Sequence, residues 1–283
     1  MITLIKRYPL ITYFILAYAL FWLIWIPITP FLQNLATLDV PIWAIPLALI
    51  GIYAPTWAAL IVTFICEGKT GLKTLLRPLT EWRIHLGWYA VAIFLPLLLG
   101  LIAILLHTIF TTDTLTLQGK QSAIFLLLAT IPITLLNKLP LGPMAEELGW
   151  RGFALPRLQR KYTALTASLI LGVLWAFWHL PAFWVPGAAL PLDTEPGIIP
   201  IGAYVLDTVG VTIIFTWLYN HTRGSLIIDF LFHAAYNALP TLLFVTLDLI
   251  PEIWFSITVW ATVFFLIWRY GADKLGTTKV TKQ

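Results

Sequence analysis

Long apolar runs constrain the fold of this chain more than any other feature of its sequence. Stretches of about 20 mostly apolar residues recur along its whole length. A bilayer core of roughly 30 Å takes about 20 helical residues to cross, and lipid offers no partner to unpaired backbone N–H and C=O groups. The alternating ten-residue pattern of a membrane β-barrel is absent. The sequence therefore predicts an all-α, polytopic transmembrane helical bundle.

Composition agrees with this prediction, because 60% of the 283 residues are hydrophobic and the mean hydropathy is +0.89. No soluble domain, low-complexity tract or long linker interrupts the apolar runs, so we expect a single integral-membrane domain over residues 1–283. The eight spans that we expect lie near residues 10–29, 42–66, 87–110, 123–142, 164–182, 199–219, 225–246 and 251–268.

The distribution of charge predicts the topology. With eight spans and a cytoplasmic amino terminus, 15 of the 17 Lys and Arg fall in inner segments. Such a bias follows the positive-inside rule and predicts that both termini are cytoplasmic. The pI of about 9.2 then reflects topology and contact with anionic lipid, and no nucleic-acid partner is expected. We expect a multi-pass protein of the plasma membrane, with the lipid bilayer as its constant partner.

Several ionisable side chains fall inside the predicted spans. Each costs about 2.5–3.5 kcal/mol on insertion scales, so each calls for a structural or chemical reason. The single cysteine, Cys66, excludes an internal disulfide and a cysteine-rich metal cluster. The residues that call for a reason are His107, Glu146, Glu147, His179, Asp207, Asp229 and His233, with Asn237 as a polar companion.

Two adjacent glutamates stand out in the run AEELGWRGF. Glu147 and Arg151 are four residues apart, so a helix places them on one face within reach of an ion pair. Glu146 points about 100° away, and no charged residue stands three or four positions after it. We therefore expect Glu147 and Arg151 to form a supporting pair. We expect Glu146 to have no local partner and to take part in the reaction.

A second group of polar residues lies in the predicted seventh span. Asp229, His233 and Asn237 follow one another at intervals of four, so they form one stripe on a helix. Asp229 either orients the imidazole of His233 or suits the positive end of the helix dipole, and both interpretations stay open. His179 ends the fifth span and, taken alone, resembles an interfacial histidine. Together, two histidines, a glutamate and an amide are suited to activating water and stabilising an oxyanion.

These residues resemble the motifs of the CAAX-processing and bacteriocin-immunity family, also called CPBP or Abi, of intramembrane metalloproteases. The resemblance rests on Glu146-Glu147-x-x-x-Arg151, on an aromatic residue followed by His179, and on His233-x-x-x-Asn237. The flanking WRGF, WHLP and GSL are also similar to the family, and the resemblance covers about residues 120–247. The usual Phe of the second motif is Trp175 here, which keeps an aromatic wall.

The resemblance implies a role for each residue. Glu146 would activate the attacking water, His179 and His233 would bind a metal or that water, and Asn237 would assist at the oxyanion. Glu147 and Arg151 would support the site. A zinc ion held by His179, His233 and Glu146 is the implied cofactor, although another divalent metal fits the same ligands. The implied substrate is a membrane-associated peptide or protein, and prenylated CAAX substrates are the namesake of the family.

Other functions fit the sequence less well. The HExxH motif of another metalloprotease class and the GxSxG setting of a nucleophilic serine are absent. Asp207 and Asp229 lack the surroundings expected of an aspartyl protease, and no duplicated halves suggest a transporter. The sequence thus predicts an intramembrane metal-dependent endopeptidase, with a non-catalytic immunity or assembly protein of the same fold as the alternative.

Overall fold

The all-α prediction is confirmed. A computed structural model of the chain describes residues 2–37, 39–111, 134–246 and 252–276, and these ranges contain helices and turns without a strand. Residues 134–138 are helical, and a π-helix, Leu148–Ala154, joins two of the α-helices. The α-helices are α1 (Ile2–Arg7), α2 (Pro9–Ile28), α3 (Ala44–Ile52), α4 (Ala54–Leu76), α5 (Leu86–Phe110), α6 (Pro143–Glu147), α7 (Leu155–Gln159), α8 (Ala164–Trp178), α9 (Ile198–His221), α10 (Leu226–Thr246) and α11 (Glu252–Tyr270).

The chain is an integral membrane protein with several membrane-spanning helices. Among the residues that the structure describes, four helical segments are long and apolar enough to cross a bilayer, and they coincide with the predicted first, third, sixth and eighth spans. The second span is a bent pair, α3 and α4, and the fifth and seventh correspond to shorter apolar helices. The fourth, residues 123–142, lies mostly outside the described residues. The count of eight spans and the cytoplasmic termini stay predictions.

The predicted second span is broken rather than straight. α3 and α4 meet at an angle of 54° around Tyr53. Pro55 stands in the first turn of α4, where its missing N–H costs no hydrogen bond and its ring prevents the preceding helix from continuing. The bend brings the backbone of Pro55 against the π-helix. This contact helps to position the segment that carries the two glutamates.

The helix α8 is fixed at its beginning. The Thr163 hydroxyl accepts a hydrogen bond from the backbone N–H of Thr166, and the carbonyls of Asp273 and Ala272 accept from the N–H groups of Ala164 and Leu165. These bonds satisfy donors that a helix leaves unpaired in its first turn. From there α8 rises about 22 Å to His179 and packs along α9. Near its end, α8 thereby contacts α6 and α10 through Trp175.

Candidate active site

The two glutamates lie in a short helix, α6, that begins just after the predicted fourth span. Gly142 caps α6 and Pro143 occupies its first turn, so Glu146 stands about one turn from the start rather than at the end of a long span. The backbone N–H of Glu146 donates to the carbonyl of Gly142 at 2.8 Å. The helix that carries Glu146 thus begins where the predicted fourth span, residues 123–142, ends.

A π-helix follows directly after Glu147, over Leu148–Ala154. Such segments are rare and occur frequently at functional sites. Here the helix crosses α4 at very close range: a Cβ atom on Gly149 would lie 2.6 Å from the carbonyl carbon of Pro55. Only glycine allows this approach, which holds the motif against the bend between α3 and α4.

Glu146 is buried but has two hydrogen-bond partners, so the expectation that it lacks a local partner is wrong. Its side chain is 4% exposed. The indole N–H of Trp150, one turn further along the helix, donates to Oε2 at 3.2 Å. The indole N–H of Trp175 on α8 donates to the same oxygen at 2.7 Å. Both donors are neutral, so they hold the carboxylate without adding a positive charge.

The other carboxylate oxygen of Glu146 faces a point that it shares with two predicted site residues. A Cβ atom on Gly142 would lie 3.4 Å from Glu146 Oε1, 3.4 Å from His233 Nε2 and 3.1 Å from Asn237 Nδ2. Three chemically different polar groups thus converge around a glycine that carries no side chain. A base, an imidazole nitrogen and an amide donor are thereby presented to one position.

Glu147 is held by positively charged or chargeable partners. The predicted ion pair with Arg151 is confirmed: Arg151 Nη1 lies 2.9 Å from Glu147 Oε1, and both side chains are 0% exposed. His233 Nδ1 lies 2.6 Å from the same oxygen. The carboxylate that orients His233 is therefore Glu147. Asp229 makes no hydrogen bond within the described part of the chain, although it lies within electrostatic range of Glu147 and Arg151.

Aromatic rings enclose the Arg151 guanidinium. Its Cζ atom lies 4.2 Å from the ring centroid of Trp175 and 3.7 Å from that of Phe215. Attraction of a cation to an aromatic ring is worth about 2 kcal/mol when the groups are desolvated. The rings add to the ion pair with Glu147 in stabilising a buried cation. Trp175 therefore contacts both Glu146 and Arg151, the partner of Glu147.

Both histidines use Nδ1 for a hydrogen bond within the protein. His179 Nδ1 lies 2.9 Å from the carbonyl oxygen of Trp175, which only accepts, so Nδ1 carries a proton. His233 Nδ1 donates to Glu147 in the same way. In a neutral imidazole the remaining Nε2 is then an acceptor. A carboxylate or carbonyl behind Nδ1 is also the usual support of a metal-binding histidine.

Zinc binding by His179, His233 and Glu146 stays a prediction of the sequence. No three His, Cys, Asp or Glu side chains in ranges 2–37, 39–111, 134–246 and 252–276 are grouped to hold an ion. A catalytic zinc site takes about three protein ligands. Glu146 and His233 meet at the Gly142 position, whereas His179 joins the site through Trp175.

Asp207 has a hydrogen-bond partner on a neighbouring helix. Its Oδ2 accepts a hydrogen bond from the Ser256 hydroxyl at 2.8 Å, which ties α9 to α11. The residues that sequence reasoning missed are Gly142, Trp150 and the donor function of Trp175. The spacing of Trp150, four residues after Glu146, was visible in the sequence, but a search for charged partners passes over an indole N–H.

Comparison with known proteins supports the resemblance carried by the motifs. Residues 128–239 match the family model described as type II CAAX prenyl endopeptidase Rce1-like. The chain is also similar to a protein of Methanococcus maripaludis named CAAX prenyl protease 2, with 33% identity over 118 residues. That alignment covers 42% of this chain and 43% of the relative, so the chain spans less than half the length of the relative it matches. The matched range includes Glu146, His179, His233 and Asn237.

Proposed function

We propose that the chain is an intramembrane endopeptidase that uses water activated by Glu146, because residues 128–239 match the model of the Rce1-like type II CAAX prenyl endopeptidases. The observation that carries the proposal is the convergence of Glu146 Oε1, His233 Nε2 and Asn237 Nδ2 on the position beside Gly142. The substrate would be a membrane-associated peptide or protein, cleaved near the cytoplasmic leaflet of the plasma membrane.

The chemistry follows from the proton positions. Glu146 Oε1 takes a proton from water, and the hydroxide oxygen bonds to the carbonyl carbon of the scissile peptide. Asn237 Nδ2 donates to the oxygen that becomes negative, which is the role of an oxyanion-hole amide. The protonated Glu146 then gives its proton to the departing amine nitrogen as the C–N bond breaks. Water is consumed, and an acid and an amine are released.

The two histidines would orient the reactants. With each Nδ1–H donated, the neutral His179 and His233 rings present Nε2 as an acceptor for a water proton. Glu147 holds His233 in this tautomer, so its contribution is to orientation rather than to proton transfer from water. In this proposal Glu146 is the base, Asn237 stabilises the oxyanion, and the two imidazoles orient the water.

A prenylated CAAX segment is the substrate class that we propose. In such a segment the lipid is attached to a cysteine that is the fourth residue from the carboxyl terminus. The lipid anchors the peptide at the bilayer surface. The test uses purified protein in liposomes with an internally quenched farnesylated CAAX peptide, and the same peptide without the lipid. We expect cleavage of the farnesylated probe. An intact probe with a folded protein would contradict the proposal and favour the immunity or assembly function.

Zinc dependence stays a prediction of the sequence, and no step above uses a metal. We expect purified protein to contain about one zinc per chain, and the double variant His179→Ala/His233→Ala to lose it while remaining monodisperse. Metal content by mass spectrometry, followed by a probe assay after exhaustive chelation, tests this. Full activity in metal-free protein would contradict the prediction and leave a glutamate-driven hydrolysis.

A further inference from the structure

Trp175 makes three contacts that none of its aromatic neighbours combines. Its indole N–H donates to Glu146 Oε2 at 2.7 Å, its ring lies 4.2 Å from Arg151 Cζ, and its main-chain carbonyl accepts from His179 Nδ1 at 2.9 Å. The residue is 5% exposed and stands on α8, whereas the glutamate stands on α6. Trp175 is therefore the link between the two helices inside the candidate site.

The hydrogen bonds on Glu146 are asymmetric. Trp150 and Trp175 both donate to Oε2, while Oε1 faces the position beside Gly142. Without a second donor, the carboxylate would be held only by Trp150 on its own helix, at the longer distance of 3.2 Å. The shorter bond comes from Trp175 on a different helix. It therefore opposes rotation of the carboxylate more than the bond from Trp150 does.

We propose that Trp175 is a positioning residue: its indole N–H holds Glu146 so that Oε1 faces His233 and Asn237, while its carbonyl fixes the ring of His179. The aromatic face alone does not provide this function. The inference rests on the proposed function, because it assigns Glu146 as the base. Small displacements of a catalytic group cost up to about 100-fold in rate.

The test removes the N–H and keeps an aromatic ring. Trp175→Phe should lower kcat for the farnesylated probe by about 10- to 100-fold, with KM within about twofold, because the lost bond orients the base rather than binding substrate. The matched control is Trp25→Phe. Trp25 is 3% exposed, and its indole donates to the Ala48 carbonyl at 3.1 Å, away from the glutamates. Its kcat should stay within about twofold of wild type.

A second variant separates the hydrogen bond from packing. Replacing Trp175 with 3-benzothienylalanine keeps the bicyclic shape and exchanges the N–H for sulfur, so it should reproduce the kcat loss at an unchanged melting temperature. In the Glu146→Gln background, Trp175→Phe should cause no further loss, because the group that it positions is already inactive.

The outcomes are distinguishable. Wild-type kcat in folded Trp175→Phe, or in the benzothienyl protein, overturns the inference and leaves the proposed function intact. An equal loss in Trp25→Phe also overturns it, because the effect would then be one of packing. A wild-type protein that leaves the probe intact overturns the proposed function and, with it, the role assigned to Trp175.

Discussion

Glu146 and Glu147 are neighbours in sequence, yet their surroundings differ in kind. Oε2 of Glu146 accepts from two neutral indole N–H groups, whereas Oε1 of Glu147 accepts from the Arg151 guanidinium and from His233. Neutral donors orient a carboxylate and leave its charge uncompensated by a bonded cation. A guanidinium at 2.9 Å compensates the charge. The comparison supports the proposal that Glu146 is the reactive glutamate and that Glu147 is a supporting residue.

The difference arises from the helix and its neighbours together. Two adjacent residues on a helix point about 100° apart, so they meet different elements of the bundle. Glu146 faces α8, where Trp175 stands, and Glu147 faces α10, where His233 stands. One dipeptide therefore supplies both a candidate base and the group that orients an imidazole. If this division is correct, the two positions should respond differently to the same substitution.

The largest effect is expected from Glu146→Gln. Glutamine keeps the size of the side chain but cannot take a proton, and a general base contributes about 10²- to 10⁴-fold. We expect kcat for the farnesylated probe to fall by that factor, with an unchanged melting temperature in detergent. The matched control is Glu67→Gln, because Glu67 pairs with Arg157 on the surface and is 48% exposed. Near wild-type cleavage by folded Glu146→Gln would contradict the assignment.

Glu147→Gln should act mainly on stability. It removes the carboxylate that is hydrogen-bonded to the buried Arg151, and breaking a buried ion pair from one side costs about 3–5 kcal/mol. We expect a lower melting temperature and a reduced monodisperse fraction in fluorescence-detected size-exclusion chromatography. Removing the stranded cation in Glu147→Gln/Arg151→Met should recover part of the loss. A stable but inactive Glu147→Gln, together with near wild-type cleavage by Glu146→Gln, would instead mean that the roles of the two glutamates are exchanged.

The sequence predicted those features that depend on local periodicity. Apolar runs of the right length indicated α2, α5, α9 and α11, because a helix that crosses lipid needs little besides length and apolar side chains. The spacing of Glu147 and Arg151 predicted their pair for the same reason: four residues of helix bring two side chains together whatever surrounds them.

Features that depend on packing between distant segments could not be predicted. The π-helix accompanies the close approach of Gly149 to Pro55, nearly a hundred residues earlier in the chain. The second donor on Glu146 comes from Trp175, 29 residues later. A pattern read along one helix contains neither contact. The interpretation of Asp229 as the residue that orients His233 failed similarly, because the competing carboxylate comes from another helix.

Gly142→Ala tests whether the position beside Gly142 holds the reacting groups. The added methyl would lie 3.1–3.4 Å from Asn237, Glu146 and His233, at the position these groups share. We expect kcat to fall by about 10- to 100-fold, because crowding displaces reacting groups, with little loss of thermal stability. The control is Gly202→Ala, since a Cβ atom there meets nothing within 4 Å. Equal activity of the two variants would mean that this position does not hold the reacting groups.

The smallest effect is expected from Trp150→Phe. Trp150 donates to Glu146 Oε2 at 3.2 Å, the longer of the two indole bonds, and it lies on the same helix as its acceptor. A typical hydrogen bond contributes a net 0.5–1.5 kcal/mol, which corresponds to a loss of about 2- to 10-fold in kcat if it acts only on the base. Its ring also packs against Tyr13 and Trp178, so the melting temperature should fall as well. Activity and stability are therefore measured together, on Trp150→Phe and Trp175→Phe side by side. If Trp150→Phe loses more activity than Trp175→Phe at equal stability, the bond from the π-helix positions Glu146, and α8 does not set the contrast between the two carboxylates.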